Sequence, residues 1–372
     1  MSTYPKRREQ LYDWMAREGI SLAMIEDSEM SRNPAIRWLT GHPSDALLFL
    51  SVERSSLLVP WDINIAMLHG EADILLPYTE FERRPINALR GAIERFGIPK
   101  ASRIEIPGTT PYPHFLNFVD EISDYDIICR ENGILTELER YRAIKDETEI
   151  KIFQKACALT DEIISLVEKN LRSGKIKTEA DLAFFIDAEG RKRGCEGTGF
   201  ETLAAGPARS FGIHPFPAFT KGAFGGSGLS ILDFGLKYAG YTSDVTLTFA
   251  GEPLSKEQEK MLSLTEKAYK LAVSMARGGE SSRKISLAVD SYLARHKKAM
   301  PHALGHGIGL EAHEAPFIRS RADSDWVLEK GMIITIEPGI YDPVHGGCRL
   351  ENDILITEDD SEIITGAGII RL

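Results

Sequence analysis

The stretch LSILDFGLKYAGYTSDVTLTF (229–249) decides the fold. Two apolar-rich runs flank a turn that contains Lys237, Ala239 and Gly240, the pattern of a β-hairpin. A turn centred between Tyr238 and Ala239 sets Asp233 directly opposite Asp244. Side chains so placed share one face, with Cβ atoms about 5 Å apart. Two ionised carboxylates at that distance repel, and a buried pair either holds a proton or requires a cation. Two exposed aspartates beside a turn would leave the same spacing without chemistry.

A second hairpin makes the chemical reading harder to set aside. GMIITIEPGIYDPVHGGCRLENDILITEDD (331–360) places strands at about 332–341 and 347–357 around PVHGG. A turn centred on Val344 pairs Glu337 with Glu351, provided no bulge shifts the register. Arg349 shares the parity of Glu351 and can offset part of the charge. Each hairpin thus puts a carboxylate pair on one face of otherwise apolar strands. Four inward carboxylates and one imidazole suit two divalent cations; oxygen-rich donors without thiolate favour Mn²⁺, Co²⁺, Fe²⁺ or Zn²⁺. A hydroxide bridging two such ions is a nucleophile near neutral pH, which points to metal-assisted hydrolysis.

The imidazole has an obvious source. PHALGHGIGLEAHEAP (301–316) holds three of the chain's nine histidines: His302, His306 and His313. With carboxylates supplying most of the ligands, one of the three suffices.

The rest of the chain sets bounds. At 372 residues, two domains are expected. A net charge of −11 argues against nucleic acid, which needs a basic face. No stretch approaches the roughly 20 apolar residues of a membrane helix, so no membrane partner is expected. MSTYPKRREQLYDWMAREG (1–19) has no apolar run and reads as no signal peptide, which makes the cytoplasm the expected location. The four cysteines, Cys129, Cys157, Cys195 and Cys348, form no CxxC pair, which disfavours a disulfide framework or thiolate zinc site.

Up to about residue 131, helical and strand patterns alternate. A helix at 5–18 is followed by strands at 21–27, 46–52, 55–60, 72–78, 102–108 and 125–131, with helices at 85–97 and 115–122. From Leu135 the pattern becomes long and helical, with a break near Lys145–Asp146. Further helices are expected at 178–194, 256–276 and 282–297, and the two hairpins lie among them. The expected organisation is an α/β domain over residues 1–134 and a larger α+β domain over 135–372.

LDFGLKYAGYTSDVTLTF (232–249), HALGHGIGLEAHEAP (302–316), IEPGIY (336–341) and CRLEND (348–353) resemble the signature blocks of the pita-bread metallopeptidases. That family includes aminopeptidase P, prolidase and methionine aminopeptidase. The resemblance covers essentially the whole chain, since the first domain is similar to the creatinase-type domain of the Xaa-Pro branch. FETLAAGPARSFGIHP (200–215) is similar to a family segment with a substrate-facing histidine.

What the resemblance implies is specific. The fold would be α+β, with a curved antiparallel sheet covered by helices. Asp233 would chelate one metal ion, Asp244 and Glu351 would bridge two, and His306 and Glu337 would hold the other. Glu337 would also be the general base acting on a metal-bridging hydroxide. His214 and His313 would contact the scissile carbonyl. His302 matches a histidine of the Xaa-Pro members, and Tyr341 and Arg349 match supporting or substrate-side positions. For His302 a hydrogen-bonded core role, for His313 a cap and for Arg349 a counter-ion role stand as alternatives.

Three residues depart from the family pattern: Leu247 stands where an arginine is common, Asn352 where an acid is common, and Pro215 follows His214. The implied activity is removal of an N-terminal residue from Xaa-Pro dipeptides or peptides, with two divalent ions, Mn²⁺ foremost, in a cytoplasmic homodimer. The rivals are a pita-bread hydrolase of a non-peptide C–N bond in a small amino-acid derivative, and a catalytically silent binding protein. Phe211, Phe216 and Phe219, near His214, read as aromatic core, with the lining of an apolar pocket as the alternative.

Overall fold

A computed structural model describes residues 3–372. The chain divides into two compact units between Tyr141 and Arg142, inside the helix Ile134–Ala143.

The first unit is built on strands β1 (Leu22–Asp27), β2 (Ala46–Ser51), β3 (Ser55–Pro60), β4 (Ile74–Leu75), β5 (Arg103–Ile106) and β6 (Asp126–Cys129). They form one sheet in the order β4-β3-β2-β1-β5-β6, antiparallel across β1, β2 and β3 and parallel elsewhere. Helices Tyr4–Glu18 and Pro85–Phe96 both end on a left-handed glycine, Gly19 and Gly97, the conformation that only glycine takes without a Cβ penalty. The core is formed by Leu22, Met24, Phe49, Leu57, Val59 and Ile104, all buried. The strand expected over 72–78 shrinks to Ile74–Leu75. Pro77, which has no N–H to donate, stands next in line, and a 3₁₀ turn Tyr78–Phe81 takes over.

In the second unit the break in the long helical pattern falls where Asp146 caps the helix Glu147–Arg172. Asp146 Oδ1 accepts from Thr148 N (2.8 Å) and Glu149 N (2.9 Å), while Glu149 Oε2 accepts from Asp146 N (2.9 Å). Such a reciprocal cap contributes about 1 kcal/mol. Helices Glu179–Lys192 and Lys256–Met275 begin on Thr178 and Ser255 in the same manner, and Ser282–Arg295 begins on Ser281, whose hydroxyl accepts from Lys284 N.

The strands of this unit are β7 (Gly197–Thr198), β8 (Leu203–Ala205), β9 (Gly228–Phe234), β10 (Leu236–Tyr238), β11 (Tyr241–Thr242), β12 (Val245–Gly251), β13 (Gly305–Gly307), β14 (Glu314–Ile318), β15 (Ile333–Ile336), β16 (Gly339–Asp342), β17 (Gly346–Arg349), β18 (Asn352–Ile356), β19 (Ser361–Ile363) and β20 (Ile369–Arg371). One sheet runs β20-β12-β9-β8 and another β14-β13-β15-β18-β19, with smaller sheets β11-β10-β7 and β16-β17. A bridge between Thr246 and Glu351 joins the two hairpins.

The first hairpin differs from the sequence reading in register. Its two-residue turn is Ala239–Gly240, with φ of 48° and 91°, the positive values a tight hairpin turn requires. Tyr238 therefore faces Tyr241, and Asp233 faces Thr246 rather than Asp244. Moving the turn centre by one residue moves the pairing by two, so parity survives: Asp233 and Asp244 are diagonal neighbours on one face. The second hairpin keeps the expected register on both sides of Pro338. Gly339 faces Arg349, and Ile336 faces Asn352. Glu337 and Glu351 occupy the short gap between the two ladders.

Alternation along β9 and β12 sorts side chains between core and site. Leu232, Phe234, Val245 and Leu247 pack with Leu159, Ile163 and Val167 of the long helix. Leu247, where the resemblance expects arginine, is thus a core residue. Ile231 lies instead with Tyr341, on the side of Asp233.

Candidate metal centre

Asp233, Asp244, His306, Glu337 and Glu351 line one cavity of ≈ 550 Å³, together with His214, His302 and His313. Asp233 comes from the end of β9, Asp244 from just before β12, His306 from β13, and the two glutamates from the gap in the second hairpin. Ligand atoms of Asp244, His306 and Glu351 all lie within 4.8 Å of one another, and all three residues are buried.

Charge is the dominant fact about this cavity. Burial, then the neighbouring Glu351 and Asp233, push the Asp244 carboxyl well above the usual range. Burial and Asp233 lift Glu351 to about 7, although Arg349 and hydroxyl donors Thr246 and Thr335 oppose the shift. Glu337 is raised by burial and Glu351. One cation answers this cluster directly: Arg349, 1% exposed, whose Nη2 donates to Asp233 Oδ2 at 2.6 Å.

Among the five candidate ligands, two carboxylate oxygens, Asp233 Oδ1 and Asp244 Oδ1, are buried without a hydrogen-bond partner. A buried anionic oxygen left unpaired costs far more than a surface one, so the atoms call for protons or cations. Oxygen donors with one imidazole fit a hard or borderline divalent ion.

The imidazole is prepared for ligation. His306 Nδ1 donates to the Gly307 carbonyl at 3.1 Å, which leaves the Nε2 lone pair facing Glu337 Oε1 at 3.6 Å and Asp244 Oδ2 at 3.9 Å. Burial, and His313 with its ring centroid 4.2 Å away, lower its pKa to about 3, so the ring is neutral. Gly305 and Gly307 are needed on either side. A Cβ on them would lie 2.0 and 2.1 Å from the carbonyls of Thr335 and Ala315.

Behind the cavity wall a hydrogen-bonded chain fixes His302. Arg349 Nη1 donates to the Tyr341 hydroxyl (2.8 Å), which donates to His302 Nε2 (3.0 Å), and His302 Nδ1 donates to the Ala303 carbonyl (2.8 Å). Burial and Arg349 lower His302 to about 4, which agrees with this neutral tautomer. Its ring edge lies 3.7 Å from Glu337 Oε2. Burial holds the Tyr341 hydroxyl up at about 12. Tyr341 and Arg349 do not line the cavity, but each is bonded to a residue that does, His302 and Asp233. His214 and His313 stand on the wall with their side chains open to solvent, and partial desolvation of His214 against the wall, together with Arg349, lowers its pKa.

Several contributors escaped the sequence reading. Thr246 Oγ1 donates to Glu351 Oε2 (2.6 Å) and accepts from Arg349 Nε (2.9 Å). Asp353 Oδ2 accepts from Asp244 N at 3.1 Å and fixes that residue's backbone. Both share parity with the carboxylate beside them in sequence, the one signal that could have found them. Phe200, Glu201, Phe317 and Arg319 also line the cavity. Phe216 lines it too and is 96% exposed, which corrects its reading as core; Phe211 is exposed, and Phe219 packs edge-on against Phe184. Asn352 points elsewhere, bonded to Thr365 and Ala367.

Comparison with known proteins identifies the family. Residues 151–358 match metallopeptidase family M24. The Xaa-Pro dipeptidase of Pyrococcus horikoshii is 28% identical over 371 residues, covering 98% of each chain. Among solved structures, an Xaa-Pro dipeptidase from Bacillus anthracis superposes with a TM-score of 0.85 at 26% identity, over 99% of both chains. An X-Pro aminopeptidase from Thermotoga maritima gives 0.84 at 25% identity, over 98% of this chain and 99% of that one. The architecture is therefore the α+β pita-bread fold that the sequence blocks implied.

Proposed function

The chain belongs to metallopeptidase family M24, and on that premise we propose that it is a metal-dependent exopeptidase that removes the residue preceding proline at a peptide N-terminus. The observation that carries this reading is the buried Asp244–His306–Glu351 cluster on the wall of a cavity large enough for a small peptide.

Asp233, Asp244, His306, Glu337 and Glu351 would hold two divalent ions, Mn²⁺ foremost. When bound, the ions supply an activated water and polarise the scissile carbonyl. The rest is done by this chain's own side chains. Glu337, with 16% of its side chain exposed, opens to the cavity and takes the proton from the attacking water, then returns it to the leaving proline nitrogen. That nitrogen carries no N–H in the peptide, so an enzyme for this bond cannot grip it by a backbone donor. His214 and His313, on the exposed wall, contact the scissile carbonyl. His302, kept neutral by burial and Arg349 and oriented by Tyr341 and the Ala303 carbonyl, sits beside Glu337 without neutralising it.

Both dipeptides and longer peptides fit this reading, and the short connection between Glu337 and Glu351 favours a dipeptidase. No helix among the described residues is long and apolar enough to cross a membrane. A cytoplasmic homodimer completes the proposal on the strength of the family resemblance. Sedimentation of the purified chain at twice its 41.3 kDa mass is the expected result for the dimer.

The test is turnover of Ala-Pro, Ala-Pro-Ala, Met-Ala-Ala and Ala-Ala with Mn²⁺, Co²⁺ or Zn²⁺ added. Cleavage of Ala-Pro alone identifies a dipeptidase, and cleavage of Ala-Pro-Ala an aminopeptidase. Silence on all four overturns the proposal in favour of a non-peptide substrate or a binding role.

A further inference from the structure

The connection from β8 to β9, residues 206–227, has almost no regular structure, yet it forms one wall of the cavity: Ile213, His214, Pro215, Phe216 and Ala218 all line it. A connection of this length needs anchors other than a backbone ladder. Glu179 supplies them. It sits 1% exposed in the first turn of the helix Glu179–Lys192, and every hydrogen bond its carboxylate makes goes to this segment.

Oε1 accepts from Gly206 N at 2.8 Å. Oε2 accepts from Thr220 N at 2.8 Å and from Thr220 Oγ1 at 2.6 Å. The Arg209 guanidinium donates to the same oxygen and also to the Pro217 carbonyl, so it spans the segment. Main-chain bonds from Glu179 N to Gly222 O and from Ala180 N to Thr220 O, each 2.9 Å, fasten the exit end again. Gly206 allows the close approach, since a Cβ there would lie 2.0 Å from the Ala223 carbonyl. Both ends of the segment are thus tied to one buried carboxylate. Its tip is held by the bond from Arg349 Nη1 to Ile213 O at 3.0 Å.

We propose that Glu179 is a positioning residue: by clasping Gly206, Arg209 and Thr220 it presents His214 and Phe216 to the substrate. Glu179 itself does not line the cavity. With the clasp open, each substrate molecule would have to order the loop, and that ordering is charged to binding rather than to the chemical step. The inference rests on the reading of this cavity as the substrate site.

Glu179→Gln tests it, because either orientation of the amide turns an NH₂ toward an N–H donor, at Gly206 or at Thr220 and Arg209, and so opens one end of the clasp. Amide hydrogen exchange should accelerate across residues 206–222 and stay unchanged in β9 and β12. Metal content should stay at the wild-type value. KM for Ala-Pro should rise about tenfold with kcat within about threefold of wild type. Thr220→Val removes one donor, should shift both readouts in the same direction by less, and stands in if the glutamine variant does not fold. Unchanged exchange at 206–222, or parallel loss of kcat and bound metal at constant KM, overturns the proposal. Exchange reads the clasp without substrate. A wild type that leaves Ala-Pro intact therefore overturns the substrate assignment, while unchanged exchange overturns the clasp whatever is cleaved.

Discussion

Glu351→Gln should stabilise the metal-free protein at alkaline pH and destabilise the metal-loaded one. In the absence of metal, burial and Asp233 raise the Glu351 carboxyl from 4.5 to about 7. A carboxyl whose folded value lies above its unfolded value favours the protonated fold. The cost of the charged form is therefore absent below about pH 4.5, grows between about 4.5 and 7, and is complete above that. At about 1.4 kcal/mol for each tenfold change, the gap corresponds to roughly 3 kcal/mol. Glutamine never ionises, and its amide oxygen can still accept the Thr246 hydroxyl that Glu351 Oε2 accepts at 2.6 Å. Urea unfolding in EDTA at pH 8 should show the variant more stable than wild type by up to about 3 kcal/mol, with the difference vanishing toward pH 4.5. With Mn²⁺ present the order should reverse, because a neutral amide is the poorer ligand. If the variant is less stable than wild type in EDTA at pH 8, burial of mutually repelling carboxylates is the wrong account of this site.

Three further outcomes follow from the same structure. Glu314 is buried between Arg142 and Lys145 (2.9 Å); burial would raise its pKa, but the two cations outweigh it and hold the carboxyl below its ordinary value. That stabilisation is present above the ordinary carboxylate range and is lost as pH falls through the lowered value. Glu314→Gln, which leaves buried Lys145 without a counter-ion and Arg142 with only Glu311 (2.8 Å), should cost about 3 kcal/mol by urea unfolding at pH 7. Tyr341→Phe removes the donor to His302 and an acceptor of Arg349, so stability should fall by about 1 kcal/mol and kcat/KM by about tenfold, with metal content unchanged. Asp244→Ala should abolish hydrolysis and lower bound metal measured by elemental analysis, and retention of both would contradict its place in the centre.

The second hairpin was legible to the residue because PVHGG fixes its turn and no bulge intervenes, so Glu337 and Glu351 could be paired from spacing alone. The first was legible only in parity. Ala239 adopts φ 48°, a value its side chain does not advertise, and the turn lay one residue later than composition suggested. Period-two alternation protected the conclusion, since any shift by two residues returns the same side chains to the same face. Long-range polar contacts were not legible. Asp353 reaches Asp244 across 109 residues, and Glu179 reaches Gly206 across 27. Such bonds leave no periodic trace, because each satisfies one buried donor wherever the fold happens to bring it. Phe216 misled for a related reason: an aromatic residue ordinarily reads as core, yet here its segment ends at the cavity mouth.

The central claim is that a cluster of carboxylates and one imidazole holds divalent ions that this chain uses to hydrolyse a peptide bond. Stepwise addition of Mn²⁺ to chelator-stripped protein, with bound metal and Ala-Pro turnover followed in the same samples, tests it most directly. The stripped protein should show no turnover, and activity should rise with uptake to a plateau at two ions per chain. Full turnover in the stripped protein, or uptake of metal unchanged in Glu351→Gln, would contradict it.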